Sequence, residues 1–360
     1  LAILADPDLK GLIKSIKNPS MTHRFPVKEI ALQSGLSTAT VDRVLNNRAH
    51  VSPQTRRRID DAIGELARQE NQLAARGRRF FIDVVVEAPT RFSREIQRAS
   101  EAVLPLFRPA ALRPRFTFAE TMTESDCVTV LDRIRKRGSQ GVCLKARDTE
   151  RVRAAIEQLT TKNIPVVTVF TDIPDVRRLA YAGLDNIKAG QTAAYLMLKL
   201  LKSTDKCVLT TLSQHAFQGE EDRFHAFRNE LHRLRPDIKF IDASGGGGLN
   251  PATAQEVSAK LSGCAEIAGV YSMGGGNVAI LNALEKSGHS PTIFIAHDLD
   301  EDNLQLLRKD VLTLVLHHDL RDDMRMAFRH ILAFHGAGEP LNQTESDIQI
   351  VTPMNIPAGF

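Results

Sequence analysis

Apolar residues recur at two spacings along this chain, and the change falls near residue 79. Before it the period is helical. Val27, Ile30 and Ala31 share one face of Val27–Ser34, and Val41, Val44 and Leu45 share one face of Thr38–Leu45. Gly35-Leu36-Ser37 separates the two: glycine takes the left-handed backbone that ends a helix, and serine caps the next one. Asn46–Val51 reads as a loop. Ser52 then caps a third helix with Pro53 at its first position and Ile59, Ile63 and Leu66 as its apolar stripe. Two short helices joined by a tight glycine turn and braced by a third make a helix-turn-helix.

Beyond Arg76-Gly77-Arg78-Arg79, β-rich apolar runs alternate with helical patterns. The predicted strands are Phe80–Glu87, Arg115–Ala119, Gly141–Leu144, Pro165–Phe170, Ala180–Leu184, Cys207–Thr211, Lys239–Asp242, Ala268–Ser272, Thr292–Ala296 and Leu312–His317. Helical patterns lie between most of them, as in Thr149–Lys162, Asn186–Leu200 and Glu220–Leu234. Such alternation implies α/β structure with doubly wound parallel sheets, and this many strands imply two lobes. No internal repeat stands out. Gly245–Gly248 reads as a flexible surface loop, and Gly274–Gly276 as a tight strand-to-helix turn or a place where backbone approaches a ligand.

Charge sharpens the division. Residues 22–79 carry eleven Lys/Arg against six Asp/Glu, in a chain whose net charge is only +4. A basic head on a slightly acidic body is a footprint for a polyanion, although a basic face can also be merely solvated. No run approaches the roughly 18 apolar residues of a membrane span. The first twenty residues lack the pattern of a secretory signal. Residues 1–23 are read as a disordered extension outside the fold, with a short helical arm as the alternative. Cys127, Cys143, Cys207 and Cys264 have no zinc-ligand or CxxC spacing and read as reduced structural thiols of a cytoplasmic protein.

The segment VKEIALQSGLSTATVDRVLNNRAHVSPQTRRRIDDAI resembles the DNA-binding domain of the lactose-repressor (LacI/GalR) family, in a branch with a VDRVLN recognition helix. The likeness rests on Ile30-Ala31, Gly35-Leu36-Ser37, Thr40-Val41, Arg43-Val44-Leu45-Asn46, Val51-Ser52 and Thr55-Arg56. It continues through Ile164-Pro165-Val166-Val167, Asp185-Asn186 with Ala189-Gly190, and His297-Asp298. The resemblance implies a periplasmic-binding-protein-like body. The division is then a helix-turn-helix domain over 24–70, a hinge over 71–79 and a ligand-binding domain over 80–360. Its first lobe is expected at about 80–173 and 300–319, its second at about 174–299 and 320–360. Asp42 stands where the family usually has Ser. In the hinge, Asn71 and Ala74 fit the family pattern, but Gly77 stands where a Leu wedges into the minor groove; Leu73 is the nearby apolar substitute.

For the head, the resemblance places Thr38, Ala39 and Arg43 against base edges. Arg43 suits guanine, and Thr38 and Ala39 suit a thymine methyl, or simply start the helix well. Ser37, Thr40, Asn46, Ser52 and Thr55 are candidate phosphate or sugar contacts as well as caps. Arg56 adds attraction. Asp42 either accepts from cytosine or, as favoured, holds Arg43 or Arg48.

For the body, ligands of parallel sheets sit at the carboxyl ends of strands. Phe92, Lys145, Arg147, Asp148, Asp172, Asp298 and His318 follow predicted strands and are the candidates. By resemblance Phe227 packs against ligand, with ordinary helix core as the alternative. Gln191 stands where many relatives have an Arg that grips ligand oxygens. A neutral Gln argues against an anionic ligand, with Lys145 or Arg147 as substitutes. Polar groups beside apolar faces suit a sugar or polyol.

His317-His318-Asp319 lacks zinc-ligand spacing, and GxSxG, GxxxxGK[ST] and a GxGxxG after a strand are missing. No enzyme, cofactor or metal is expected. The expectation is a ligand-responsive DNA-binding regulator, a repressor, of a sugar or polyol operon. It would act on a near-palindromic operator as a homodimer or dimer of dimers, away from membranes. A periplasmic-type solute-binding protein and a sugar-processing enzyme with an appended DNA-binding domain are the alternatives.

Overall fold

The computed structural model describes residues 23–48, 51–75, 77–108, 110–262, 266–339, 341–342 and 345–358. The expectations for residues 1–22, Arg76 and Cys264, and for the side chains of Asn71, Leu73 and Ala74, lie outside the described residues. By its contacts the chain divides after Leu73 into two units.

The first unit holds helices α1 (Val27–Ser34), α2 (Thr38–Leu45) and α3 (Pro53–Ala75). The apolar stripes meet as expected: Phe25, Ile30, Ala31, Val41, Val44 and Ile59 form one small core. Gly35 ends α1 at φ 63°. Ser37 Oγ accepts from Thr40 N, and Ser52 Oγ accepts from Thr55 N, both at 3.1 Å. The two serines thus cap α2 and α3 in the same way.

In the second unit, one six-stranded sheet contains β1 (Arg79–Glu87), β2 (Ala111–Ala119), β3 (Gly141–Lys145), β4 (Val166–Val169), β5 (Ala180–Leu184) and β11 (Glu345–Ser346), in the order β11-β5-β4-β3-β1-β2. The other contains β6 (Cys207–Thr211), β7 (Lys239–Asp242), β8 (Gly269–Ser272), β9 (Ile293–His297), β10 (Leu314–His317) and β12 (Gln349–Val351), in the order β12-β10-β9-β8-β6-β7. The order recurs although the sequence shows no repeat, because an apolar run followed by an amphipathic helix is all that each unit of such a sheet requires. All pairings are parallel except β10 with β12.

Helices α4 (Thr90–Val103), α5 (Glu124–Arg137) and α6 (Glu150–Thr161) belong to the first lobe. Helices α7 (Asn186–Leu200), α8 (Gln218–Leu234), α9 (Asn250–Leu261), α10 (Asn277–Lys286) and α11 (Glu301–Arg308) belong to the second. Helix α12 (Leu320–Phe334) returns to the first.

The expected lobe boundaries need correction. β5 pairs with β4 in the first sheet, and β10 with β9 in the second. Helix α12 buries Met324, Ala327, Phe328 and Ile331 on the first sheet. The chain therefore crosses between lobes at 184–186, 317–320 and 346–349. Pairing decides lobe membership, and the local pattern of a strand does not carry it.

Helix α12 lies unusually close to β3. A Cβ built on Gly141 would sit 2.7 Å from Ile331 Cγ2. Gly141→Ala is therefore expected to destabilise the fold by about 1–3 kcal/mol through overpacking, read from denaturant unfolding. An unchanged midpoint would mean that α12 shifts freely.

Cys127 on α5, Cys143 on β3 and Cys207 on β6 are all buried. Burial pushes the Cys127 thiol up to about 12, far from a reactive thiolate.

Candidate functional site

On the first unit, Ser37, Thr38, Ala39 and Arg43 are exposed along the start of α2, and Thr40 is half-buried. Asp42 is spent within the protein, as favoured. It accepts from Asn46 Nδ2 at 2.8 Å and lies 3.4 Å from Arg48 Nη1. Arg56 donates to Asn47 Oδ1 at 3.0 Å. Among the described residues no side chain pairs with Arg43, so its guanidinium is unspent.

In the second unit a cleft opens between the carboxyl ends of the two sheets. The first lobe contributes Glu87, Arg91, Phe92, Glu120, Lys145, Phe170 and Thr171. The second contributes Ser213, Phe217, Glu220, Arg223, Gly274, Gly275, His297, Asp298, Asp300 and His318. Of the expected ligand residues, Phe92, Lys145, Asp298 and His318 line this space. Lys145 Nζ donates to Glu87 O at 2.8 Å and lies 3.7 Å above the Phe217 ring of the other lobe. Burial pulls the Lys145 ammonium below its usual value, against the attraction of Glu220 and Glu87. Phe92 stands edge-on to Phe170 at 5.6 Å.

The other expectations are corrected. Arg147 stands behind the lining and grips the Glu87 carboxylate through two nitrogens. Asp148 is held by Arg153, and Asp172 by Arg178 and Thr168. Gln191 is exposed on α7. Phe227 is wholly buried, 4.4 Å from the Tyr271 ring, so ordinary core is its place here. Gly245–Gly248 is more than a surface loop, since Gly248 is buried and its carbonyl accepts from Arg91 Nη2 at 2.8 Å. A Cβ on Gly275, at φ 82°, would strike that same Arg91. Gly275 thus makes room for an arginine, while Gly248 makes room for the Gly274 carbonyl.

Among the lining residues that sequence reasoning missed, Arg91, Glu220 and Arg223 sit on helices. Glu220 and Arg223 share the buried stripe of α8 with Phe224, Phe227 and Leu231. Two charges on an apolar stripe are a readable signal, because such groups are rarely buried without a task. Glu220 accepts from Ser213 N and Oγ at 2.5 and 2.6 Å. Arg223 Nε donates to Gly219 O at 3.2 Å. Contacts also join the lobes: Arg91 Nε reaches Asp300 Oδ2 at 2.6 Å, and Gly219 N reaches Thr171 Oγ1 at 2.9 Å.

Asp298 has left-handed backbone, φ 62°. Its Oδ1 lies 3.3 Å from His318 Nε2, an ion contact with loose hydrogen-bond alignment that leaves this buried acceptor room for a further donor. His318 Nδ1 lies 2.5 Å from Asp323 Oδ2, again as an ion contact. Burial opposes protonation of His318, but Asp323 and then Asp298 outweigh it and raise the group to about 10. Burial likewise opposes ionisation of Asp298, yet His318 holds its carboxyl well below the usual range.

A raised histidine stabilises the fold fully below its unfolded value of 6.5 and ceases to do so as pH passes about 10. Asp298 acts in the opposite sense and withdraws its contribution only in acid. His297, His317 and Arg223 also face this group. Stability should therefore decline from pH 6.5 to 10, and His318→Gln should flatten that decline in pH-resolved thermal unfolding. Parallel curves for the two proteins would clear the pair of responsibility.

The family model described as periplasmic binding protein domain matches residues 116–329, more than half of the chain. The chain belongs to this family. Ahead of its periplasmic binding protein domain, residues 27–70 match the model of bacterial regulatory proteins, lacI family. A curated relative is the HTH-type transcriptional regulator DegA of Bacillus subtilis, 23% identical over 211 residues. That match spans 57% of this chain and 60% of the length of DegA. GanP, a glucose-galactose binding protein from Geobacillus stearothermophilus, superposes with a TM-score of 0.69 at 17% identity, covering 77% of this chain and 99% of its own. An ABC transporter solute binding protein from Agrobacterium vitis with bound D-fucose gives 0.67 at 16% identity, covering 77% and 97%. These two likenesses are of fold. The chain thus joins a helix-turn-helix that matches the lacI-family model to a two-sheet periplasmic-binding-protein-like body. No helix among the described residues is long and apolar enough to cross a membrane.

Proposed function

We propose that this chain is a repressor of a sugar or polyol operon, of the branch with a VDRVLN recognition helix. A neutral polyhydroxyl effector binds at Asp298 and changes the affinity of residues 24–79 for a near-palindromic operator. A homodimer is the working form, because one such head contacts one half-site. Arg43 reads a base. Ser37, Thr40, Asn46, Ser52 and Thr55 set the phosphate register, with Thr38 and Ala39 against the bases.

The observation that carries the reading is the buried Asp298 Oδ1, which among the described residues meets only the loosely aligned His318, in a cleft that has an aromatic face at Phe92. An ionised carboxylate only accepts, and hydroxyl groups supply the donors it lacks. The lining carries Glu87, Glu120, Glu220, Asp298 and Asp300 beside Arg91, Lys145, Arg223 and the protonated His318. That balance offers no positive field for an anion. The helix-turn-helix favours a regulator over a transport binding protein of the same body.

The test is a thermal-shift panel of D-glucose, D-galactose, D-arabinose, D-fucose and myo-inositol. Operator binding is then measured with and without the best compound. At a hundredfold excess over its Kd a true effector adds about 2.7 kcal/mol of stability. Operator affinity should fall steeply with salt through counterion release. A chain that prefers no sequence over random DNA at moderate salt, or that responds only to anionic compounds, would overturn the proposal.

A further inference from the structure

We propose that Asp323 is a positioning residue that couples the cleft to the root of β1: it and Asp298 hold the His318 ring from opposite lobes, and α12 carries a change at that ring to His335 and Arg78. The inference rests on the regulator reading for its purpose, but not for its test.

Asp323 is fully buried in the first turn of α12. Its neighbours on that helix face are Leu320, Met324, Ala327, Phe328 and Ile331, all buried in one apolar cluster. An apolar side chain there would avoid the desolvation of a carboxylate, so packing alone does not call for an acid. Among the described residues, the side-chain ion contact that uses the acid is His318 Nδ1, at 2.5 Å.

His318 occupies one of the three crossovers, which must flex whenever the lobes change their angle. Its other nitrogen faces Asp298, which follows β9 in the second lobe. One ring is thereby shared between lobes. A donor that enters the cleft and binds Asp298 Oδ1 competes with the ring for that oxygen and leaves Asp323 as its remaining partner. This supplies the differential contact that any coupled transition requires.

The far end of α12 is anchored equally well. The helix is roughly 22 Å long at 1.5 Å per residue. His335, its C-cap, lies 2.6 Å from Gln140 O through Nε2, and its ring packs 5.8 Å from that of Phe80. The His335 carbonyl accepts from Arg78 Nη1 at 3.2 Å, and the Arg78 guanidinium sits 4.9 Å over Phe80. Arg78 immediately precedes β1, and the chain runs back from it towards α3. Between the two ends, Ile331 packs so closely on Gly141 that a Cβ there would lie 2.7 Å from its Cγ2, which ties the middle of the helix to β3.

Hydrogen–deuterium exchange on the full chain, without sugar or DNA, tests this. The relay requires Asp323→Asn to accelerate exchange about tenfold or more at Phe80–Phe81, Gln140–Val142 and His335–Ala337. Strands β6 and β8 should stay within about twofold. Asp172→Asn removes a carboxylate of the same lobe that Arg178 and Thr168 hold, without contact to His318, and should not reproduce the pattern. Acceleration confined to the cleft end of α12, spread evenly over the chain, or matched by Asp172→Asn overturns the inference. Should Asp323→Asn fail to fold, His335→Ala gives the reciprocal reading: Asp298–Asp300 and His318 must accelerate, and their indifference refutes the relay. A chain with this exchange pattern that ignores every compound of the sugar panel would refute the regulator reading and leave the relay standing.

Discussion

Asp298→Asn is expected to weaken effector binding roughly 10- to 100-fold while leaving effector-free operator affinity within about twofold. Hydrogen bonds to a charged acceptor contribute about 1.5–3 kcal/mol, where neutral ones contribute about 1. Asparagine keeps the size and one acceptor oxygen but loses the charge. Its carbonyl oxygen still accepts from His318 Nε2, so the contact shared between the lobes is kept. The backbone should not object, since asparagine tolerates the left-handed conformation seen at φ 62°. Titration calorimetry with the panel sugar and operator titration without it separate the outcomes. Equal loss in both would assign Asp298 to the fold.

Arg43→Ala is expected to cost about 1–3 kcal/mol at the cognate operator, and to relax preference at one base pair in each half-site. The expectation follows from what Arg43 lacks. Arg48 is near Asp42 and Arg56 bonds Asn47, whereas Arg43 would surrender no described side-chain partner on meeting a base. Helix α2 is otherwise untouched, because its stability rests on Val41, Val44 and the Ser37 cap. Binding measured over a library of operator variants decides. A uniform loss across all sequences would make Arg43 a phosphate contact.

Periodicity and turn chemistry made the local elements legible. The start of α2 follows from Gly35 and Ser37, and β1 from the run through Val86. Strands β11 and β12 escaped notice because two or three residues leave no period to read. The lobe assignment of β5 and α12 was not readable either, since that depends on partners remote in sequence.

In the cleft, the rule about carboxyl ends of strands found Phe92, Lys145, Asp298 and His318. It also selected Asp172, whose local signal matches that of Asp298. Only the position of Arg178, six residues on, tells the two aspartates apart. Arg223 and Glu220 lay outside the rule because a helix, rather than a strand end, delivers them.

Arg91 holds Asp300 and Gly248 across the cleft between the two lobes. On the proposed reading, these contacts part to admit the sugar. Association would then be timed by the opening of the mouth rather than by collision, and its observed rate would level off as sugar concentration rises. Without the Arg91 bridge the plateau would lift and the bound sugar would leave sooner. On that reading one arginine sets how quickly the site forgets its last occupant.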